Sequence, residues 1–294
     1  MKTNQMNQTA VNIFFLLLTC ASLFPFALLL MASISDEKAI IQHGYSLWPS
    51  QFSLSAYKFL LNDSSSMVRA YGITIFITVV GTFGGLIISS LLAYPLSRDD
   101  MPLRKIMSFL VFFTMLFNGG LVSTYLIYTE VFHIKNTIWA LILPGLLTNG
   151  FYIMLMRTFF STSIPTPIIE SAYMDGATEF KIFYRIIMPL SLPILATIGL
   201  MLMISYWNDW FNGLIFVTDS KLFSLQNMLN RMLTDIQFLQ QTSLGSNQST
   251  ATAKIPLATV RMAMAVIGIV PIICAYPFFQ KYFVKGLTLG AVKG

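Results

Sequence analysis

Charge is scarce in this chain of 294 residues. Asp, Glu, Lys and Arg fill 10% of its positions, whereas soluble domains carry roughly 25%. Histidine and cysteine are rarer still, with two of each. Neither Cys20 nor Cys274 has a second cysteine or a histidine nearby at metal-ligand spacing, and both sit within apolar runs, as small apolar residues of helices do. L-L-T-C at Cys20 faintly resembles a lipoprotein cleavage site. Thr19 is too large for such a site, however, and apolar sequence continues to Met31, so a retained first span is expected. No His/Cys/Asp/Glu cluster with ligand spacing and no Gly-x-Ser-x-Gly elbow is present, which argues against an intramembrane enzyme. No glycine is followed by Lys-Ser or Lys-Thr, so the chain has no phosphate loop with which to hydrolyse ATP.

Apolar residues make up 55% of the sequence, too many to keep in water. A hydrocarbon layer about 30 Å thick needs roughly 20 apolar residues in a helix. Six segments qualify: 11–33, 72–97, 106–128, 138–157, 186–208 and 258–284. None holds an acidic residue, and Arg157, Arg261 and Lys281 lie close enough to the ends to snorkel. His43 and His133 fall in loops. An ion-coupled transporter would normally need buried ionisable groups, so this composition speaks against one. The net charge of +6 is scattered around span ends, which marks topology and not nucleic-acid binding. With residues 1–10 inside, ten Lys and Arg fall on the inner side and eight outside; both termini are expected to be cytoplasmic.

In loop 34–71, Phe52, Leu54, Tyr57, Leu60 and Leu61 fall near helical spacing and predict a short interfacial helix. Gly81 and Gly85 in the second span would permit close helix approach. F-N-G-G-L places Asn118 and two glycines deep in the third span, and Asn149 with Gly150 does the same in the fourth. Each amide is a candidate either for an interhelical hydrogen bond or for lining a solute path. Tyr125, Tyr206, Trp207 and Asn208 join them as candidates for the path, since aromatics stack on sugar faces and amides bind hydroxyls. The long loop 209–257, with its Ser, Thr and Gln run, reads as a linker or as a probe that orders against an outside partner.

The segment from Pro165 to Pro193 stands apart. Pro165 stops the preceding span, Thr166 can cap a new helix with Pro167 at its first position, and Gly176 supplies a bend. Ile168, Ile169, Ala172 and Tyr173 form a helical face, with Ser171 and Ala172 small enough for close approach to another surface. A second helix follows with Phe180, Phe183, Ile187 and Leu190 in a stripe; Pro189 and Pro193 break it where it re-enters the membrane. Two short helices joined at an angle, within a loop over 158–185, predict a docking surface for another subunit.

E-S-A-Y-M-D-G-A followed by I-I-M-P-L resembles the EAA loop of ABC importer permeases. A-Y-P-L-S-R, F-N-G-G-L, R-T-F-F-S-T-S-I-P, W-N-D-W and the ending Q-K-Y-F-V-K-G-L-T-L-G-A-V-K-G extend the likeness along the chain to the MalG-like permeases of carbohydrate importers. Ser171 replaces the usual second alanine, and Ser123 stands where this subgroup often has proline, at an expected kink. The resemblance implies an all-α, six-span type I importer fold in a bacterial cell membrane. It implies that Glu170, Ser171, Ala172, Asp175, Gly176 and Ala177, with Pro189 behind them, couple the chain to an ATPase. It further implies that the tail 286–294, through Gly286, Gly290 and Lys293, lies against the ATPases. The expected partners are a second six-span permease, two ABC ATPases that bind the ATP and Mg, an extracytoplasmic sugar-binding protein and the lipid bilayer. No cofactor is expected on this chain.

Overall fold

The computed structural model describes residues 5–62, 64–146, 149–243 and 257–291. Among these residues the regular structure is helical, with one isolated bridge between Ser35 and Phe52. The chain divides into two compact units, Met1–Met67 with Leu229–Pro271 and Val68–Met228 with Ile272–Gly294.

The first unit opens with α1 (Gln5–Ser33), whose Phe14, Leu16, Leu17 and Leu23 stand exposed, as an apolar helix does when lipid or another chain covers it. Two short helices follow, α2 (Glu37–His43) and α3 (Ser55–Leu60). The interfacial helix expected around Phe52–Leu61 is therefore shorter than its apolar spacing suggested. Phe52 and Leu54 precede it and remain exposed, and only Ala56 and Leu60 turn inward. Ser33 Oγ and Tyr57 Oη meet at 2.9 Å and tie α3 to the end of α1.

Glu37, in the first turn of α2, serves a distant helix. Its carboxylate accepts from Ala258 N at 2.8 Å, Thr259 N at 2.8 Å and Thr259 Oγ1 at 2.7 Å. Those amides open the last helix, α14 by chain order (Leu257–Ala291), where backbone donors have no partner within the helix and an anion is favoured. Glu37→Ala is expected to cost about 1–2 kcal/mol, the scale of a lost charged cap. Thermal unfolding in detergent checks this, and Glu37→Gln should recover part of the loss.

The second unit holds most of the long helix α4 (Ser64–Ser97), which begins two turns before its apolar run, since a helix need not stop at the lipid boundary. Next come α5 (Arg104–Leu116), α6 (Gly120–Val131, ending in a π turn), α7 (Trp139–Leu146), α8 (Gly150–Ser163), α9 (Thr166–Met174), α10 (Glu179–Leu190), α11 (Leu192–Trp207) and α12 (Phe211–Phe216); α13 (Leu225–Ser243) starts here, and from Leu229 on it belongs to the first unit. One core gathers Ala93, Met156, Phe160, Ile187, Ile198 and Leu202; another gathers Ile77, Tyr128, Leu141, Phe216 and Val217.

By length and composition α1, α4 and α14 can each cross a membrane, and three bent pairs raise the number to six. The third apolar run is thus not one helix: α5 and α6 meet at 114°. Gly120 takes φ 81°, and its N–H donates to Asn118 Oδ1 at 2.9 Å, closing a turn that ends α5. The kink therefore comes at Asn118–Gly120, and α6 runs on through Ser123. α10 and α11 meet at 79° around Ser191, between the two prolines that had suggested a break.

Loop 209–257 is largely ordered as far as Ser243, which corrects the linker reading for that part. Asp209 opens α12 by accepting from Asn212 N at 3.0 Å and Asn212 Nδ2 at 2.7 Å. Leu225 N at the start of α13 donates to Thr74 Oγ1 at 2.8 Å, a buried bond. The Ser/Thr-rich remainder at 244–256 lies outside the described residues.

Candidate functional site

Helix α9 is the centre of the Pro165–Pro193 segment, and each of its ends has a local cause. Pro165 is extended (φ −64°, ψ 128°) and holds the capping position itself, with Thr166 already inside the helix. No side chain caps this end, so the predicted Thr166 cap is corrected by one residue; Pro167, within the first turn, has no backbone N–H to leave unpaired there. At the far end Gly176 N donates to Tyr173 O at 2.9 Å and Ala177 N to Ala172 O at 3.0 Å. This paired closure requires a left-handed residue, and Gly176 has φ 74°.

α9 is two-faced. Ile169 and Ala172 are buried and pack with Ile164, Ile182, Phe183 and Ile187. Glu170, Ser171, Met174 and Asp175 point outward, with Met174 89% exposed. The face expected to meet another subunit is therefore rotated. Ala172 is buried against its own chain, where its small size lets α9 sit close on α10. Tyr173 and Ile168 are only partly covered. Met174 was not among the sequence candidates, although it lies one turn beyond Glu170 on the same face. Among the described residues, Glu170 has no hydrogen-bond or ion-pair partner. Pro189 is exposed and follows a π turn over Phe183–Ile187, whose extra residue accommodates the missing backbone donor.

A second cluster, which the sequence reading did not assemble, anchors this segment. The Glu179 carboxylate accepts from Tyr94 Oη of α4 at 2.6 Å on one oxygen and from Tyr173 Oη of α9 on the other. Arg98, one turn beyond Tyr94, stands 5.4 Å over the Tyr173 ring and donates to Asp100 at 3.0 Å. That bond holds Asp100 below the ordinary carboxylate value. Burial, reinforced by Glu179, pushes the Tyr173 hydroxyl above its ordinary value and keeps it a donor. Beside the cluster, Leu91, Tyr94, Pro95, Arg98, Glu179 and Phe180 help line a pocket of about 450 Å³. The end of α4 is capped from elsewhere too: Arg104 Nε and Arg157 Nε both donate to Leu96 O, at 3.1 and 3.0 Å.

The candidates for a solute path mostly serve the fold. Tyr206 and Trp207 are buried within the chain. The Tyr206 hydroxyl donates to Ile142 O of α7 at 2.9 Å, and its ring lies against Gly81 of α4 and Gly145 of α7. Asn149 caps α8 by accepting from Tyr152 N at 3.3 Å, Asn118 closes its own turn, and Asn208 donates to Ile204 O at 3.0 Å. Tyr125 stacks on Phe216 at 5.8 Å, and its hydroxyl accepts from Lys135 Nζ at 3.0 Å. Gly286 and Gly290 fall within α14, which continues as a helix to Ala291 where a loose tail was expected; Lys293 lies outside the described residues.

Residues 4–289 match the family described as binding-protein-dependent transport system inner membrane component. The chain is 35% identical over 283 residues to the polygalacturonan/rhamnogalacturonan transport system permease protein YtcP of Bacillus subtilis, covering 96% of each. It is 36% identical over 273 residues to protein LplC of the same organism, covering 93% of this chain and 90% of LplC. With the trehalose/maltose transport system permease protein MalG of Thermococcus litoralis it shares 29% identity, over 95% and 94% of the two chains. Its fold is similar, at TM-score 0.79 and 30% identity, to a chain in the crystal structure of a bacterial ABC transporter involved in the import of the acidic polysaccharide alginate, covering 96% of this chain and 98% of that one.

Proposed function

The chain belongs to the family of binding-protein-dependent transport system inner membrane components, and from that premise we propose that it is the permease subunit of an ATP-driven ABC importer for a carbohydrate. It forms half of a path across the bacterial cell membrane, paired with a second six-span permease. Two ABC ATPases bind ATP and Mg and supply the energy, an extracytoplasmic binding protein delivers the sugar, and this chain performs no catalysis. Both termini and the loop carrying α9 face the cytoplasm. The observation that carries the reading is the outward edge of α9: Glu170, Ser171, Met174 and Asp175 are exposed on a helix whose other side is fixed in the core. An exposed methionine flanked by carboxylates suits a cleft with an apolar floor and a basic rim. The relatives' names, which include polygalacturonan/rhamnogalacturonan and trehalose/maltose transport, support a saccharide as the solute.

Coupling demands that the ATPase hold α9 with different energy in the inward- and outward-open states. The test uses Met174→Cys in a chain whose Cys20 and Cys274 are replaced by Ser. In the assembled importer this position should cross-link to the ATPase, with a yield that changes on adding ATP, whereas Ile169→Cys should not. Labelling of Met174→Cys in intact cells by a membrane-impermeant maleimide would place α9 outside and end the proposal.

A further inference from the structure

We propose that Glu179 is a positioning residue that makes the adjacent end of α4 travel with α9 during transport. The inference rests on reading α9 as the helix that docks the ATPase. The backbone joins α9 to α8 through Ile164 and Pro165, and to α10 through the Gly176 turn. Nothing covalent near the docking edge joins it to α4. The Glu179 carboxylate provides that link, because each of its oxygens is taken by a hydroxyl from a different helix, Tyr94 from α4 and Tyr173 from α9. Arg98 adds a second contact between the same two elements through the Tyr173 ring.

Packing alone would hold α4 against α10 here, since Tyr94 and Phe183 have ring centroids 5.3 Å apart and Ala93 is fully buried. The hydrogen bonds are therefore more than the fold requires at this spot. They are directional, and two hydroxyls converging on one carboxylate resist relative sliding in a way that ring contacts do not. The adjoining pocket leaves room on one side, so the cluster can shift as a body. A push on the outward edge of α9 then reaches α4 as well as α8 and α10–α11, and three spans turn where the backbone alone would turn two.

The experiment compares Tyr94→Phe, Glu179→Ala, Glu179→Gln and the double variant Tyr94→Phe/Glu179→Ala in proteoliposomes holding the complete importer. Solute carried per ATP hydrolysed should fall about fivefold in Tyr94→Phe and in Glu179→Ala, the scale of coupling carried by one link of a network. Glu179→Gln, which keeps one acceptor, should fall between Glu179→Ala and the wild type. The double variant should be no worse than Glu179→Ala, because both changes remove the same link. A ratio unchanged from wild type in the two single variants, or uptake and hydrolysis falling together in step with thermal stability, would overturn the proposal. Cross-linking at Met174→Cys, run on the same variants, separates the two readings. Captured ATPase with an unchanged ratio defeats only the Glu179 role, and absence of capture in the parent chain defeats the docking role of α9 itself.

Discussion

Glu170→Ala is expected to cut ATP-driven uptake by at least about thirtyfold while leaving the protein folded in the membrane. The two halves of that expectation have separate causes. Glu170 is exposed and has no intramolecular partner among the described residues, so its removal takes nothing from the fold. Seated in a basic cleft of an ATPase, the same carboxylate would be desolvated and paired. Truncating one member of such a pair leaves a buried cation behind and costs about 2–5 kcal/mol, which is roughly thirtyfold or more. Glu179 lies nine residues later and offers an internal control. Its carboxylate is engaged by two tyrosines of the same chain, so its variants should change the ratio of transport to hydrolysis before they change docking. Uptake and ATPase binding measured side by side in proteoliposomes distinguish the two carboxylates. Wild-type uptake by Glu170→Ala would remove it from the coupling surface.

How much of this was legible in the sequence differs between levels. The six apolar runs correspond to α1, α4, α14 and three bent pairs, because hydropathy reports how much chain avoids water. It does not report whether that chain is straight. The 114° bend at Asn118–Gly120 was present as a turn signal, but a polar spot at membrane depth invites thoughts of a solute before thoughts of a turn. Asn149 repeats the lesson: its amide caps a helix where the apolar run conceals a break. In α9 the punctuation by Pro165 and Gly176 was readable, since proline and glycine act through local backbone angles. The outward face was harder to find. Helical spacing groups Ile168, Ile169, Ala172 and Tyr173, yet only packing against α10 decides that Ile169 and Ala172 are the inner pair. Glu179 depends on Tyr94, 85 positions away, and no local pattern announces that. Periodicity identifies apolar faces. Whether lipid, a partner or the same chain covers them is a long-range fact.

Gly81→Leu carries the largest expected effect on stability, and the reason is the placement of Tyr206. The ring is held between two helices: a Cβ built on Gly81 would lie 2.4 Å from Tyr206 Cζ, and one built on Gly145 2.6 Å from the hydroxyl. With the hydroxyl also donating to Ile142 O, the ring has no free direction in which to retreat. Gly81→Ala should therefore force α4 away from α11 at an overpacking cost of about 1–3 kcal/mol, and Gly81→Leu should prevent assembly of folded protein. Gly85 faces the flexible end of Leu202 at 3.0 Å, so Gly85→Ala should be milder. The decisive variant is the double change Gly81→Ala with Tyr206→Ala. Tyr206→Ala alone leaves a cavity worth about 3–5 kcal/mol, but the new methyl group would enter that space, so the double variant should be more stable than the sum of the two losses. Melting curves of the purified variants in one detergent measure this directly. Simple addition would mean that Tyr206 and Gly81 do not meet, and that the close approach of α4 and α11 has some other basis.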